Sequence, residues 1–180
     1  MRIGIGYDVH RFDGRAKRPL RLGGVTVASS RGLAGHSDAD VLLHALTDAL
    51  LGAIGAPDIG EQFPSSDPRY RDAESAHFLQ AAAAHVRRRG WSVGNVDATV
   101  ITDHPRLEAY KRRMRQAIGR LLTIPATDVS VKAKTTEGFG PGREGIAAHA
   151  VVLLKKAREG RRRAAGQAVR RSSSIVHRTR

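Results

Sequence analysis

The chain contains no cysteine. That absence excludes disulfides, zinc ribbons and thiolate nucleophiles, so any metal site has to be built from histidine and carboxylate side chains. It also agrees with a reducing compartment. Aromatic residues make up only 4% of the 180 residues, and the 17 acids are outnumbered by 31 Lys and Arg. No stretch approaches the roughly 18 consecutive apolar residues of a membrane-crossing helix. The segment Met1–Asp8 lacks the long apolar run of a signal peptide. A soluble, cytoplasmic protein without membrane contact is therefore expected. Neither a G-x-S-x-G elbow nor a P-loop is present, which points to chemistry that needs no covalent nucleophile from the protein.

The positive charge that is present is unevenly placed. Ten of the Lys and Arg residues lie between Lys155 and Arg180, with Glu159 the one acid there, so the tail carries +9 of the formal +14. Residues 156–180 hold few large apolar side chains and are expected to form a basic, disordered C-terminal tail. Residues 1–155 are expected to fold as one domain.

Periodicity divides that domain into intermixed strands and helices. Residues 2–8 alternate, with Ile3, Ile5 and Tyr7 against Arg2, Gly4 and Gly6, and read as a half-buried strand. Leu20–Val27 is broken by Gly23-Gly24 into a hairpin or bulge. Residues 28–36 read as a loop. A first helix is expected from Asp38 or Asp40 to Ile54, capped by Ser37 or Asp38. Gly55–Asp72 reads as a long ordered loop, and loops of that length are usually functional. Further helices are expected over 73–89 and 106–122, and further strands over 93–102, 129–135 and 146–154. The pattern suits an α/β (α+β) sandwich: a mixed four-stranded sheet with helices packed on one face.

Asp8 and His10, two apart on a strand, project from the same side. Asp40, His44 and Asp48 follow at i, i+4, i+8 and form one helical stripe, away from the centre of the apolar face. An Asp with two His suits zinc or a similar divalent ion, leaving one position for a substrate oxygen. Asp48, one turn beyond His44, is placed to hold the imidazole by its second nitrogen. The same spacing equally describes polar residues at a strand end and a solvated helix face.

Other segments are suited to phosphate and sugar. Gly35-His36-Ser37-Asp38 precedes a helix, where backbone N–H groups attract phosphate; plain capping is the alternative. Lys132–Glu137 leaves a strand for a Gly-rich loop, with Thr135 and Thr136 as donors and Glu137 as a hard oxygen ligand for Mg²⁺. Asp58-Ile59-Gly60, Phe63 and Asp67 lie in the long loop, where carboxylates can take sugar hydroxyls.

Taken together, GYDVHRF (6–12), GHSDADVLLHALTDALLGA (35–53), DIGEQFP (58–64), NVDATVI (95–101), VKAKTTEG (131–138) and GREGIAAHAV (142–151) resemble the 2-C-methyl-D-erythritol 2,4-cyclodiphosphate synthase family over about residues 1–155. The resemblance implies a phosphorus–oxygen lyase of non-mevalonate isoprenoid biosynthesis, which makes a terpenoid precursor. Its substrate is 4-diphosphocytidyl-2-C-methyl-D-erythritol 2-phosphate and it releases CMP. The resemblance implies a homotrimer with active sites between subunits. It makes Asp8, His10 and His44 the ligands of one divalent transition metal per subunit, either zinc or manganese or cobalt. Glu137 becomes the ligand of a magnesium or manganese ion that accompanies the substrate diphosphate. His36 and Thr135 match the transition-state-stabilising positions, and Asp58 and Gly60 the sugar contacts. Thr102, Pro105, Arg106 and Leu107, with Lys134, Thr135 and Thr136, match the enclosure of cytidine and its phosphates. Val9, Ser37, Ile59, Phe63, Asp67, Phe139 and Arg143 complete the substrate-contacting set. Arg143 and Glu144 fall near the threefold axis, where family members can hold an isoprenoid diphosphate. The loop after Glu137 is shorter than the family's, Ser65 stands where an acid is common, and the basic tail is outside the pattern.

Two other readings use the same residues differently. One is a metal-dependent phosphohydrolase on another phosphoester. The other is a nucleic-acid-binding protein acting weakly through the tail, whose charge would give salt-dependent, sequence-independent affinity.

Overall fold

The computed structural model describes residues 1–14, 18–139 and 144–157. Four long strands form the body of a mixed sheet: β1 (Arg2–Asp13), β5 (Trp91–Ile101), β6 (Val129–Lys134) and β7 (Gly145–Lys156). The two-residue β4 (Gly32–Leu33) adds a fifth at the edge, giving the order β4-β1-β7-β5-β6. β7 pairs antiparallel with both β1 and β5, while β5 and β6 run parallel. A parallel pair needs a crossover, and α4 (Lys111–Leu122) supplies it. The expected hairpin at Gly23-Gly24 is there, as β2 (Leu20–Leu22) and β3 (Val25–Val27), with both glycines at positive φ.

The central element is α1 (Val41–Ala53), packed on β1 and β7 and flanked by α3 (Ser75–Arg88). Its cap is Asp40, whose side chain accepts from the Leu43 N–H. That carboxylate also accepts from the N–H groups of Gly23 (2.8 Å) and Gly24 (2.7 Å), tying the β2–β3 turn to the helix start. The helix is buried nearly all round. Leu42, Leu46 and Leu50 are fully enclosed, and so is Asp40 at 1% exposure. The Asp40–His44–Asp48 stripe is therefore no fully solvated face: the sequence's apolar stripe marks only the most hydrophobic side of a helix that has protein on nearly all sides. Each fully buried leucine contributes about 1.5–3 kcal/mol.

β1 turns its glycines, not its isoleucines, toward the core. Gly4 and Gly6 are buried against α1, and Ile3 and Ile5 stand 69% and 70% exposed. The reason is steric. A Cβ on Gly4 would lie 1.9 Å from the Ala49 carbonyl oxygen, and one on Gly6 equally close to that of Ala45. Only glycine lets the helix rest on the strand backbone. The opposite face of β1 and β7 presents Ile3, Ile5, Tyr7, Val9 and Val151 to the outside.

Smaller differences come from local chemistry. The long loop folds into α2 (Ile59–Gln62) and a 3₁₀ turn at Pro68–Tyr70, capped by Asp58 and Asp67. The helix expected from 106 begins as a 3₁₀ turn, Glu108–Tyr110, and becomes α4 at Lys111. β7 runs to Lys156 because Lys155 and Lys156 still pair with Ser92 and Trp91. Residues 158–180, on which the expectation of a disordered tail rests, lie outside the described residues. Among the described residues no helix is long and apolar enough to cross a membrane.

Candidate metal centre and its surroundings

Alternation along β1 puts Gly4, Gly6, Asp8 and His10 on one side, the side that meets α1. Where the glycines stop, the helix has reached its first turn, and His44 comes down beside the two β1 side chains. His44 Nδ1 lies 3.0 Å from Asp8 Oδ2, His10 Nε2 lies 3.1 Å from the same oxygen, and the two nitrogens are 3.3 Å apart. These are a possible metal-holding group among the described residues. The spacing fits an ion: tetrahedral bonds of about 2.0–2.1 Å hold donors roughly 3.3 Å apart. Two imidazoles and a carboxylate with no thiolate suit a first-row divalent ion and leave its identity to geometry and supply.

The electrostatics bind the three together. Burial pushes the Asp8 carboxyl up, but the hydrogen bonds and charges of His10 and His44 outweigh it and hold the group well below the usual carboxylate range. Burial works to lower the His10 pKa, yet the Asp8 hydrogen bond and charge and the Ala34 carbonyl raise it above 6.5. Metal loading at this site therefore competes with a proton on His10.

The far side of each imidazole is also engaged. His10 Nδ1 donates to the Ala34 carbonyl at 2.6 Å. His44 Nε2 is 2.8 Å from Ser75 Oγ and 3.3 Å from Ser37 Oγ. This corrects the role expected for Asp48: its Oδ1 accepts from the Ile59 N–H at 2.8 Å, anchoring α2 to α1, while His44 turns its second nitrogen toward Ser75. Helical spacing places Asp48 beside His44, but it does not reveal the serine on another helix.

A cavity of about 300 Å³ opens beside the triad. His10, His36, Ser37, His44, Ile59, Gly60 and Phe63, all singled out from the sequence, line it together. Tyr70 and Phe78 line it as well, and no sequence motif marks them. Phe63, Tyr70 and Phe78 are in mutual ring contact, with centroids 4.9–5.6 Å apart, and make one apolar wall. Asp58 Oδ1 accepts from the Glu61 N–H at 2.9 Å, next to the cavity residues Ile59 and Gly60. Asp67 pairs with the Arg69 guanidinium at 2.6 Å, so that carboxylate serves its own turn.

The remaining sequence-predicted residues gather elsewhere. Val9, Ala147, Ile101 and Lys134 form one row across β1, β7, β5 and β6. Three strand spacings of about 4.8 Å make roughly 14 Å, so within one chain the Lys134–Glu137 segment stands apart from Asp8 and His10. Thr135 Oγ1 donates to Glu137 Oε1. Thr136 donates to Asp103 from its N–H (2.8 Å) and hydroxyl (2.9 Å), joining this segment to the 102–107 loop. Thr102 and Leu107, expected to contact substrate, have buried side chains: Thr102 donates to the His104 carbonyl and Leu107 sits in the core. Pro105 and Arg106 lie between them in that loop. Val9 points to the exposed sheet face, and Phe139 is 83% exposed. Arg143 lies outside the described residues.

Comparison with known proteins follows the same outline. The YgbB family model matches residues 1–155. The 2-C-methyl-D-erythritol 2,4-cyclodiphosphate synthase of Syntrophomonas wolfei is 54% identical over 159 residues, covering 87% of this chain and all of that one. A solved structure of a synthase with the same name superposes with a TM-score of 0.80 at 40% identity, over 86% of this chain and all of that one. The IspF–CDP complex of Plasmodium falciparum superposes with a TM-score of 0.76 at 33% identity, over 87% of this chain and 97% of that one.

Proposed function

The chain belongs to the YgbB family, and from that premise we propose that it converts 4-diphosphocytidyl-2-C-methyl-D-erythritol 2-phosphate to 2-C-methyl-D-erythritol 2,4-cyclodiphosphate and CMP. The observation that carries the reading is the convergence of Asp8, His10 and His44, with donor atoms 3.0–3.3 Å apart, beside the cavity lined by His36, Ser37, Ile59 and Gly60. Curated relatives bearing the synthase name stand behind it.

In this reaction an oxygen of the substrate's own 2-phosphate attacks the β-phosphorus. A P–O bond forms there, the bond from that phosphorus to the bridging oxygen breaks, and the electron pair leaves with CMP. The nucleophile belongs to the substrate, so the protein's work is to fold it, hold it in line and neutralise charge. Asp8, His10 and His44 would hold a zinc-type ion, and Glu137 a magnesium or manganese ion. Bound there, these ions would supply the positive charge that neutralises and polarises the diphosphate. His36 donates toward the transferring phosphate from the cavity wall, and Thr135 does so from the segment beyond β6. Asp58 and the Gly60 backbone take the sugar hydroxyls. Phe63, Tyr70 and Phe78 seat the carbon skeleton and exclude water. The 102–107 loop with Lys134–Thr136 encloses cytidine. A chain without cysteine acting on a highly charged nucleotide fits the cytoplasm.

A homotrimer completes this arrangement. The Lys134–Glu137 segment is too far from the triad of its own chain to share one diphosphate, and a neighbouring copy can bring the two together. The exposed face of Ile3, Ile5, Tyr7, Val9 and Val151 supplies the apolar surface for that contact. Sedimentation should give three times the chain mass, and Ile5→Asp should yield a monomer with activity reduced more than about 100-fold. A fully active monomer would sink the interfacial site.

The reaction itself is tested by product analysis with the cytidyl substrate. Equimolar CMP and cyclic diphosphate are expected, and chelator should abolish both. Inorganic phosphate released from simple monoesters, with no cyclic product, would overturn the reading in favour of a phosphohydrolase.

A further inference from the structure

His44 can face an ion with Nδ1 only if its proton sits on Nε2, and the surroundings of Nε2 decide that. Ser75, the first residue of α3, is fully buried beneath the imidazole. Its hydroxyl donates to Asp38 Oδ1, and its backbone N–H donates to the same oxygen at 3.0 Å. A second backbone N–H, that of Asp40, reaches this oxygen at 3.3 Å, and the Arg21 guanidinium lies 4.0 Å from Oδ2. The hydrogen bonds at Asp38 Oδ1 are therefore all donated to it, and a carboxylate gives nothing back.

The consequence passes along the chain of contacts. A serine hydroxyl has one proton. Once that proton is committed to Asp38, Ser75 Oγ offers only lone pairs to the His44 nitrogen 2.8 Å away. Nε2 has to carry an N–H, so when an ion displaces the proton that Nδ1 shares with Asp8 Oδ2, the neutral ring is left with its lone pair on Nδ1. Ser37 Oγ accepts from the Ala39 N–H and lies 3.3 Å from the same Nε2, as a weaker second acceptor. His10 is set the opposite way, because the Ala34 carbonyl can only accept and so holds the proton on Nδ1. With an ion in place of the protons shared with Asp8, the two imidazoles would carry opposite tautomers and turn both lone pairs to the same point.

We propose that Asp38 and Ser75 are positioning residues for the metal centre: the Asp38–Ser75 pair locks His44 in the Nε2–H tautomer and fixes its ring. The proposal rests on the reading of Asp8, His10 and His44 as a metal site. It assigns roles to two residues that touch neither ion nor substrate. It also gives the loop before α1 and the start of α3 a shared task.

The test is zinc affinity, measured by competition with a chromogenic chelator on the full chain. Ser75→Ala keeps the backbone N–H to Asp38, and with it the start of α3, but removes the acceptor. Zinc should bind 10–100-fold more weakly, the range typical of outer-sphere partners. Ser37→Ala/Ser75→Ala, which also removes the second acceptor, should bind at least as weakly. A metal-free melting temperature close to that of the unmodified chain separates this role from a structural one. In the zinc-loaded unmodified protein, ¹⁵N spectra of His44 should show Nδ1 bound to metal and a slowly exchanging proton on Nε2. Zinc affinity within twofold of the unmodified chain in both variants, or coordination through Nε2, would overturn the relay. Failure of the unmodified chain to bind zinc at all would overturn the metal reading beneath it.

Discussion

The His44→Ala protein is expected to lose its metal and its cyclising activity together, each by more than about 100-fold, beyond the range for outer-sphere partners. His44 supplies one of three donor atoms packed 3.0–3.3 Å apart. Removing it leaves Asp8 and His10, and two ligands seldom retain a first-row ion against a chelator. The fold should survive. His44 sits on the first turn of α1, alanine is the best helix former, and the core leucines Leu42, Leu46 and Leu50 are untouched. Elemental analysis after gel filtration, alongside circular dichroism, reads both halves of the expectation. Full metal content in a folded His44→Ala protein would refute the ligand assignment. Metal loss with activity intact would refute the metal's part in the reaction.

Much of this site was legible as residues and little of it as contacts. Strand alternation pairs Asp8 with His10, helical spacing puts His44 on α1, and the Gly35–Asp38 and Asp58–Phe63 segments were marked by their chemistry. His10, His44 and residues of both segments line one cavity, and Asp8 lies beside it against the two histidines. What sequence periodicity does not contain is the pairing of β1 with α1. That pairing depends on Gly4 and Gly6, whose use is the side chain they lack. An alternation of isoleucine with glycine reads as isoleucine inward, because burial is judged from side-chain hydrophobicity. Here the helix needs bare backbone, and the isoleucines are turned outward to the face proposed for a second copy.

The partners of His44 were hidden for a different reason. Asp48 is one helical turn away and visible from spacing, whereas Ser75 is 31 residues on, at the start of another helix. No local pattern marks a serine there as more than a helix-start residue. Leu107 shows the converse. It lies in a segment with the family's look, yet its side chain is core. A motif names a stretch of chain, and packing then decides which of its side chains remain free for a ligand.

Gly6→Ala should be among the most damaging small substitutions in the protein. The added Cβ would stand 1.9 Å from the Ala45 carbonyl oxygen and 2.7 Å from the Ala49 nitrogen. Both are backbone atoms of a helix that is buried nearly all round, so no flexible side chain can yield. α1 would have to move away from the sheet by an ångström or more. The cost should reach roughly 3 kcal/mol, the upper end for overpacking. For a domain of this size that lowers the melting temperature by on the order of 10 °C. The same displacement carries His44 away from Asp8, so the fraction that folds should also bind metal weakly. Gly52→Ala is the matched control. It lies on α1 itself, with the nearest atom to its Cβ, the Ile5 carbonyl oxygen, 3.9 Å away. Replacing a helical glycine with alanine there should raise stability by about 0.5–1 kcal/mol. Two Gly→Ala changes on facing elements are thus expected to act with opposite sign. A Gly6→Ala protein melting within about 2 °C of the unmodified chain would show that the approach of helix to strand is not held by glycine. The route from sequence to metal site would then have to be sought elsewhere in β1.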